Sequence, residues 1–244
     1  MKLKIYRDPQ NNPFLKNLRK QMETLQEEQK EIGKIQRSHH WRESSRPKLK
    51  RTIDILLSVL AILTLLPVYL VVAILIKLED RGPFFFKQVR VGLNGRPFTM
   101  LKFRSMRRDA DQIKHELTAM NEHERGVTFK IKNDPRITKI GYFIRKYSID
   151  ELPQFFNVIQ GSMSLVGPRP AVPSEVQQYQ SNHIERLRVK PGITCIWQVS
   201  GRANIDFEGQ VEMDKSYVRC PSLWRDFLLL LKTIPAVLFA KGSY

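Results

Sequence analysis

Asp150 and Glu151 are adjacent carboxylates in the stretch KYSIDELPQF at residues 146–155, where Arg145 and Lys146 precede them. Two carboxylates about 4 Å apart repel each other by roughly 4 kcal/mol at an effective dielectric constant of 20. Nearby cations, or a divalent metal, would offset this repulsion and keep both groups ionised. An aspartate whose pKa lies near its reference value of about 3.9 is an anionic nucleophile at neutral pH and needs no general base.

The two carboxylates suit a division of labour, because adjacent residues on a helix point in different directions. One carboxylate can attack while the other holds a hard metal through oxygen. A hard metal together with arginines is the usual apparatus of phosphoryl transfer. The sequence therefore indicates a metal-assisted carboxylate nucleophile that acts on a phosphate.

A helix-start signal is the structural alternative, since Ser148 and Glu151 fit the S-x-x-E capping box. In that register Pro153 becomes the fifth helical residue, where its missing amide should already bond back into the helix. If Asp150 is the cap instead, Pro153 removes one of its two candidate amide donors. Neither register accounts cleanly for the pair.

The bulk properties indicate an anionic partner. The chain has 244 residues, a formal net charge of +17 and a pI of about 10.0. So large an excess favours nucleic acid, anionic lipid or a phosphorylated small molecule, although no nucleic-acid-binding motif is visible. The two cysteines and five histidines give no disulfide framework, CxxC or HExxH spacing. We expect a reduced, cytosol-facing site and no histidine metal centre.

A long apolar stretch predicts a membrane segment. Residues 55–76 carry no charge, which exceeds the roughly 18 apolar residues that indicate a membrane helix. Basic residues flank the stretch on both sides, and such residues mark the cytoplasmic face. Pro67 lies near its middle and should kink a helix. A re-entrant helix-break-helix hairpin over residues 53–78 satisfies both flanks; the alternative is a kinked single span.

The remaining segments predict an α+β fold that is mainly helical. Asn94-Gly95 lies between two strand-like arms, which predicts a small β-hairpin. Residues 107–124 are polar and helix-prone, and residues 222–239 are either an interfacial helix on the bilayer or a buried core helix. Residues 1–47 form an amphipathic extension with a basic linker, and residues 48–244 form the catalytic domain. The extension carries an apolar stripe of Leu15, Leu18, Met22, Leu25 and Ile32.

That stripe fits either a solvated helix with one apolar face or a short coiled coil. In the second case it could pair two protomers into a homodimer.

Six motifs in order carry a family resemblance. They are the proline-containing membrane stretch, KFRSM at 102–106, DPR at 134–136, R-K-x-S-I-D-E-L-P-Q at 145–154, N-V-I-x-G-x-M-S-L-V-G-P-R-P at 157–170 and K-P-G-I-T at 190–194. Together they closely resemble the bacterial sugar transferase family, the monotopic phosphoglycosyl transferases. The resemblance runs from about Lys48 to the C-terminus.

The resemblance implies a definite reaction. Family members transfer a sugar 1-phosphate from a UDP-sugar to a polyprenol phosphate, usually undecaprenyl phosphate, release UMP and start exopolysaccharide, capsule or O-antigen type glycans. It implies that Asp150 is the nucleophile that forms a covalent phosphosugar and that Glu151 is a Mg²⁺ ligand. The implied phosphate binders are Arg145 and Arg169, supported by Lys102 and Arg104; a solvated hairpin face is the alternative for the last two.

The resemblance also implies a location and partners. It places the protein in the bacterial inner membrane with the active site facing the cytoplasm, in contact with membrane lipids and other glycan-assembly enzymes, and it implies no nucleic acid. WQVSGR at 197–202 resembles members that use hexoses such as galactose or glucose, although the sugar cannot be read from the sequence. The alternatives are a basic membrane-anchored binder of anionic lipid or nucleic acid, and a non-catalytic scaffold.

Overall fold

A computed structural model describes residues 13, 16–20, 22, 46–113 and 134–238. Within these residues the fold is mainly helical, as the sequence predicts, and it has two small sheets, of which the sequence predicts only the β-hairpin. The helices are α1 Arg46–Asp80, α2 Ala110–Ile113, α3 Lys139–Lys146, α4 Gln154–Gln160, α5 Pro173–Val176, α6 Ile196–Ser200, α7 Phe207–Arg219 and α8 Leu223–Leu238. The strands are β1 Phe85–Val91, β2 Pro97–Phe103, β3 Ser164–Val166 and β4 Gly192–Thr194. Short 3₁₀ turns cover Leu93–Gly95, Ile149–Glu151, Ser181–Arg188 and Arg202–Asn204.

The predicted β-hairpin is confirmed. Strands β1 and β2 pair antiparallel, with Phe85 opposite Phe103 and Val91 opposite Pro97. Asn94 and Gly95 both have positive φ, at 53° and 72°. Asparagine and glycine tolerate this left-handed backbone better than other residues, so the turn forms at this dipeptide and fixes the register of the strands.

Helix α1 contains the apolar stretch and continues through Pro67. The structure therefore has one helix at 46–80 where the sequence analysis expected two arms separated by a break. Two features that bend helices nevertheless lie together, because Pro67 lacks an amide hydrogen and the Thr64 hydroxyl donates to the Leu60 carbonyl oxygen at 2.9 Å. The return of the chain to the same membrane face stays a prediction.

One stripe of α1 packs against the rest of the molecule along most of its length. Its buried residues are Asp54, Ser58, Tyr69, Val72 and Ile76. Their spacing follows the helical period, so they form a single face that runs past the proline. The opposite face exposes large apolar side chains throughout. Among the described residues, α1 is also the one helix that is long and apolar enough to cross a membrane.

Polar contacts tie both halves of α1 to the region around α4. In the first half, the Arg51 guanidinium donates to the Ile159 carbonyl oxygen at 2.8 Å, and Asp54 accepts from the Ser164 hydroxyl at 2.7 Å. In the second half, the Tyr69 hydroxyl donates to the Leu152 carbonyl oxygen at 2.6 Å. The two ends of the apolar helix are thus held on the same globular body.

The C-terminal helix α8 lies on the surface of this body. Asp226 and Leu229 are buried, whereas Trp224, Phe227 and Leu238 are exposed at 66%, 48% and 65%. An apolar outer face is inconsistent with a buried core helix and matches the interfacial alternative.

Part of the N-terminal stripe also packs onto the same body. Leu18 and Met22 are buried and form one cluster with apolar residues of the rest of the chain. Leu15, Leu25, Ile32 and residues 114–124 lie outside the described residues, so their predicted helices stay predictions. The division of the chain at residue 47 stays a prediction as well.

Asn157 joins α4 to the hairpin through two hydrogen bonds. These bonds explain why the motif at 157–170 begins with asparagine. Asn157 is 1% exposed, its Oδ1 accepts from the Leu101 amide at 2.9 Å, and its Nδ2 donates to the Thr99 carbonyl oxygen at 2.7 Å. Gly161 ends the helix with φ of 90°, which glycine adopts without strain. The strand that carries Lys102 is therefore bonded to the helix that follows the carboxylate pair.

We predict that Asn157→Ala lowers the free energy of unfolding by about 2 kcal/mol, because the Leu101 amide and the Thr99 carbonyl oxygen of β2 lose a hydrogen-bond partner that is itself buried. A thermal denaturation of the detergent-solubilised protein should show a lower Tm. The exposed Asn204 supplies the control, since Asn204→Ala should leave the Tm unchanged. Equal Tm values for the two variants would contradict the proposed role of Asn157.

Candidate active site

The carboxylate pair lies in a 3₁₀ turn between α3 and α4. Ser148 precedes the turn with φ of 55° and makes no side-chain capping bond. Helix α4 begins at Gln154, so Pro153 occupies its N-cap position and no intrahelical hydrogen bond is lost. The capping-box interpretation therefore fails, and a strained left-handed residue beside the pair is typical of a functional turn.

Lys102 lies between the two carboxylates. Its Nζ donates to Glu151 Oε1 at 2.8 Å and is 3.6 Å from Asp150 Oδ2. Arg169 Nη1 lies 3.8 Å from the same Glu151 oxygen. The structure thus brings together four of the predicted site residues, from the hairpin, the 3₁₀ turn and the Pro-Arg-Pro loop.

The two carboxyls differ in how their pKa values shift. Burial raises the pKa of Asp150, and the nearby charge of Lys102 opposes this only in part. Burial also acts upward on the pKa of Glu151, but Lys102, followed by Arg169, holds that pKa below its usual range. The sequence analysis considered an aspartate with a pKa near its reference value, whereas burial outweighs the charges of Lys102, Arg145 and Arg169 and raises the pKa of Asp150.

The remaining predicted cations line the same cavity. Arg145 reaches the site electrostatically, since its charge favours the ionised form of Asp150. Arg104 is only 8% exposed, and its Nη2 lies 3.2 Å from Asp80 Oδ2 at the end of α1. This ion pair engages Arg104 within the protein, so its role toward a phosphate stays a prediction.

Arg90 is a site residue that the sequence analysis missed. It is buried, and its Nη1 donates to the Pro170 carbonyl oxygen at 2.9 Å, beside Arg169. Burial, followed by repulsion from Arg169, lowers the pKa of Arg90 to about 10. The hairpin register could have revealed it, because Phe86 is opposite Lys102 and Arg90 lies two alternations further along the same face.

Two further polar side chains reach the cavity from the C-terminal third. Gln198 lines it and has an Oε1 that is buried without a hydrogen-bond partner. Arg202 lines it as well, has φ of 51°, and donates to the Ala236 carbonyl oxygen at 2.6 Å. No spacing signal in the sequence predicts either contact, since both depend on how α6 and α8 pack.

The cavity has a volume of about 1350 Å³. This exceeds the about 300–1,000 Å³ of a typical small-molecule site, so it has room for extended substrates. Leu65 and Val68 of α1 line one part of it, and Trp197 and Gln210 line another. The carboxylate pair lines the same cavity as these apolar, aromatic and polar side chains.

A metal ion would have two carboxylates available here. The described residues contain no group of three or more histidine, cysteine, aspartate or glutamate side chains that could hold one. Mg²⁺ commonly uses only one or two carboxylates together with substrate phosphates and water. Glu151 and Asp150 therefore fit a Mg²⁺ ion that is shared with a phosphate substrate, and do not fit an all-protein cage.

Comparisons with known proteins match the chain to one family. The family model described as bacterial sugar transferase matches residues 45–240. An uncharacterized sugar transferase of Haemophilus influenzae is 45% identical over 217 residues, which are 88% of this chain and 46% of that protein. The exopolysaccharide production protein ExoY of Rhizobium meliloti is 42% identical over 80% of this chain and 88% of its own length.

A third relative has a more explicit name. The undecaprenyl-phosphate galactose phosphotransferase of Salmonella typhimurium is 43% identical over 80% of this chain and 42% of its own length. The chain thus spans less than half the length of several curated relatives. Because the family model covers most of the chain, including the dyad, Lys102 and Arg169, this protein belongs to the bacterial sugar transferase family.

Proposed function

We propose that the chain transfers a sugar 1-phosphate from a UDP-sugar to a polyprenol phosphate such as undecaprenyl phosphate, with release of UMP. The observation that carries this proposal is the pair of largely buried carboxylates, held by Lys102 and Arg169, in a large cavity beside an apolar helix. Relatives named as galactose and glucose phosphotransferases make UDP-galactose and UDP-glucose the first donors to test. Such a transfer would start an exopolysaccharide, capsule or O-antigen type glycan.

The chemistry proceeds in two displacements at one phosphorus atom. A carboxylate oxygen of Asp150 attacks the sugar-bearing phosphorus, and the bond from that phosphorus to the UMP oxygen breaks with its electron pair. An oxygen of the lipid phosphate then attacks the same phosphorus, the bond to Asp150 breaks, and the carboxylate is regenerated. Neither nucleophile needs a general base once it has lost its proton, because the attacking group is then anionic.

The unequal pKa shifts support Asp150 as the nucleophile. Its carboxylate is destabilised by burial, so it is relieved of a poorly solvated negative charge when its oxygen forms an acyl phosphate bond. Glu151 is held by a 2.8 Å bond from Lys102 and by Arg169, which suits a residue that stays ionised and in place. Lys102, Arg169 and Arg90 would then stabilise the negative charge on the transferred phosphate.

Glu151 would hold Mg²⁺ at this site, beside the attacking carboxylate of Asp150. When bound, the ion would supply positive charge to the phosphate oxygens and to the leaving UMP. In the protein alone, Lys102 supplies a positive charge between the same carboxylates.

The apolar surface supports attachment to one face of a membrane. Both halves of α1 are bonded to the same globular body, whereas a straight span would carry one end to the opposite side. Basic residues at both ends of the apolar stretch support a location of that body on the cytoplasmic side of the bacterial inner membrane. Leu65 and Val68, beside Pro67, would guide the lipid acceptor into the cavity from the bilayer.

We predict that Asp150→Asn lowers the rate of UMP release from UDP-galactose by at least about 1000-fold, because the amide is not an anionic nucleophile. Mass spectrometry after incubation without lipid acceptor should show a hexose phosphate adduct on the wild-type chain and none on the variant. Asp206→Asn is the matched control, since asparagine caps α7 as well as aspartate does. Normal turnover by Asp150→Asn would refute the assignment of the nucleophile, whereas a basic scaffold would show no adduct on either chain.

The pKa shift of Asp150 predicts the acid limb of the pH profile. The rate of adduct formation should rise with pH as Asp150 loses its proton, at a pH above the ordinary aspartate range, because burial raises this pKa. Lys102→Gln removes the cation that most favours the ionised form, so its acid limb should move to higher pH. Lys139→Gln, at an exposed position outside the cavity, should leave the limb in place. A limb that moves to lower pH in Lys102→Gln would contradict this electrostatic role.

Metal dependence is testable with the same assay. Chelation with EDTA should stop UMP release, and added Mg²⁺ should restore it, because two carboxylates and a diphosphate suit a hard cation. Full activity in the presence of EDTA would contradict the metal requirement and would show that Lys102 and the arginines support UMP release without a metal ion.

A further inference from the structure

Leu18 and Met22 are fully enclosed although they lie outside the segment that matches the family model. Leu18 is 4% exposed and Met22 is 0% exposed. They belong to a cluster whose other buried members are Val91, Ala171, Val176, Ile184 and Leu187. Enclosure to this degree is typical of a domain core and not of a solvated appendage.

Leu18 packs directly on the turn of the β-hairpin. A Cβ atom added to Gly95 would lie 3.1 Å from Leu18 Cγ and 3.2 Å from Leu18 Cδ2. Gly95 is buried and has φ of 72°. The hairpin turn therefore uses glycine both for its backbone conformation and for the close approach of Leu18.

The same cluster reaches the end of the Pro-Arg-Pro loop, because it contains Ala171. Val91 and Ala171 form an antiparallel bridge, in which the Val91 amide donates to the Ala171 carbonyl oxygen at 2.9 Å. Arg90 and Arg169 are, respectively, one and two residues from these bridge positions in sequence. The Arg90 guanidinium also bonds the Pro170 carbonyl oxygen. Leu18 and Met22 thus belong to the apolar cluster that packs around the joint between two site arginines.

We propose that Leu18 and Met22 are positioning residues for the active site. They brace the Val91–Ala171 bridge from its apolar side and so hold Arg169 close to Glu151 and Arg90 beside Pro170. Small misplacements of charged groups in a site are costly, because their interactions depend on preorganised geometry. The two residues are also unavailable for pairing protomers, since such a dimer would have to uncover them.

The first experiment tests the packing without using enzyme activity. In a Cys220→Ser background, Met22→Cys and Asn17→Cys are each treated with a maleimide in native membranes; Asn17 is exposed, and the remaining cysteine, Cys195, is buried. Cysteine at 22 should react at least about 10-fold more slowly than cysteine at 17, because the thiol is protected by the packed cluster. Equal reaction rates would overturn the proposal.

The second experiment tests positioning, and its interpretation rests on the proposed function. Met22→Asp should lower kcat/KM for UDP-galactose at least about 10-fold, mainly by raising KM, because Arg169 loses its fixed position. Asn17→Asp adds the same charge at an exposed position and should match the wild type. Met22→Leu refills the cluster and should restore activity.

The outcomes separate the two hypotheses. A fall in rate that vanishes when the rate is divided by the amount of folded enzyme would mean that Met22 affects only that amount, and it would overturn the positioning role; so would wild-type kinetics in Met22→Asp. If Met22→Asp does not accumulate in membranes, Met22→Ala provides the same comparison. If the wild-type chain releases no UMP, the proposed function fails, while the maleimide rates still decide whether Leu18 and Met22 form part of the core.

Discussion

Lys102 makes the site possible, because it lies between two carboxylates that would otherwise repel each other in a largely buried turn. Its ammonium is within 2.8 Å of Glu151 and 3.6 Å of Asp150. Truncating the partner of buried charges costs several kcal/mol in proteins generally, roughly 3–5 kcal/mol. The two carboxyls respond differently. The pKa of Glu151, which lies closer to the lysine, is lowered, whereas burial raises the pKa of Asp150. Lys102 and burial together thus leave two adjacent carboxyls with opposite pKa shifts.

The rest of the globular fold can be understood as a means of keeping this lysine and its partners in register. The hairpin carries Lys102 and Arg90 on one face, and the Asn94-Gly95 turn sets which residues share that face. Asn157 bonds the backbone of β2 to the helix that follows the dyad. The Val91–Ala171 bridge joins the hairpin to the loop that carries Arg169. The hairpin, the 3₁₀ turn and the loop that carries Arg169 are far apart in the sequence and meet at Asp150 and Glu151.

The apolar helix serves the same site from the membrane side. Its inner stripe includes charged and polar residues, such as Asp54 and Ser58, which are buried against the globular body. Its outer face and that of α8 expose leucines and aromatic residues, so the two helices offer an extended apolar surface. The proposed substrates, a lipid phosphate and a soluble nucleotide sugar, would need a site with one apolar and one polar end.

The sequence by itself determined the candidate site residues and the local elements, because these depend on residue type and short-range spacing. The dyad, the Asn-Gly turn, the apolar helix and the Pro-Arg-Pro arginine were all readable, and the structure brings Lys102, Asp150, Glu151 and Arg169 together as expected. Only the tertiary structure decided the raised pKa of Asp150 and the presence of Arg90 and Gln198 in the lining of the cavity. It also decided the ion pair of Arg104 with Asp80 and the burial of Leu18 and Met22. Each of these depends on desolvation or on packing between segments far apart in the chain, and neither quantity is encoded in the periodicity of a single segment.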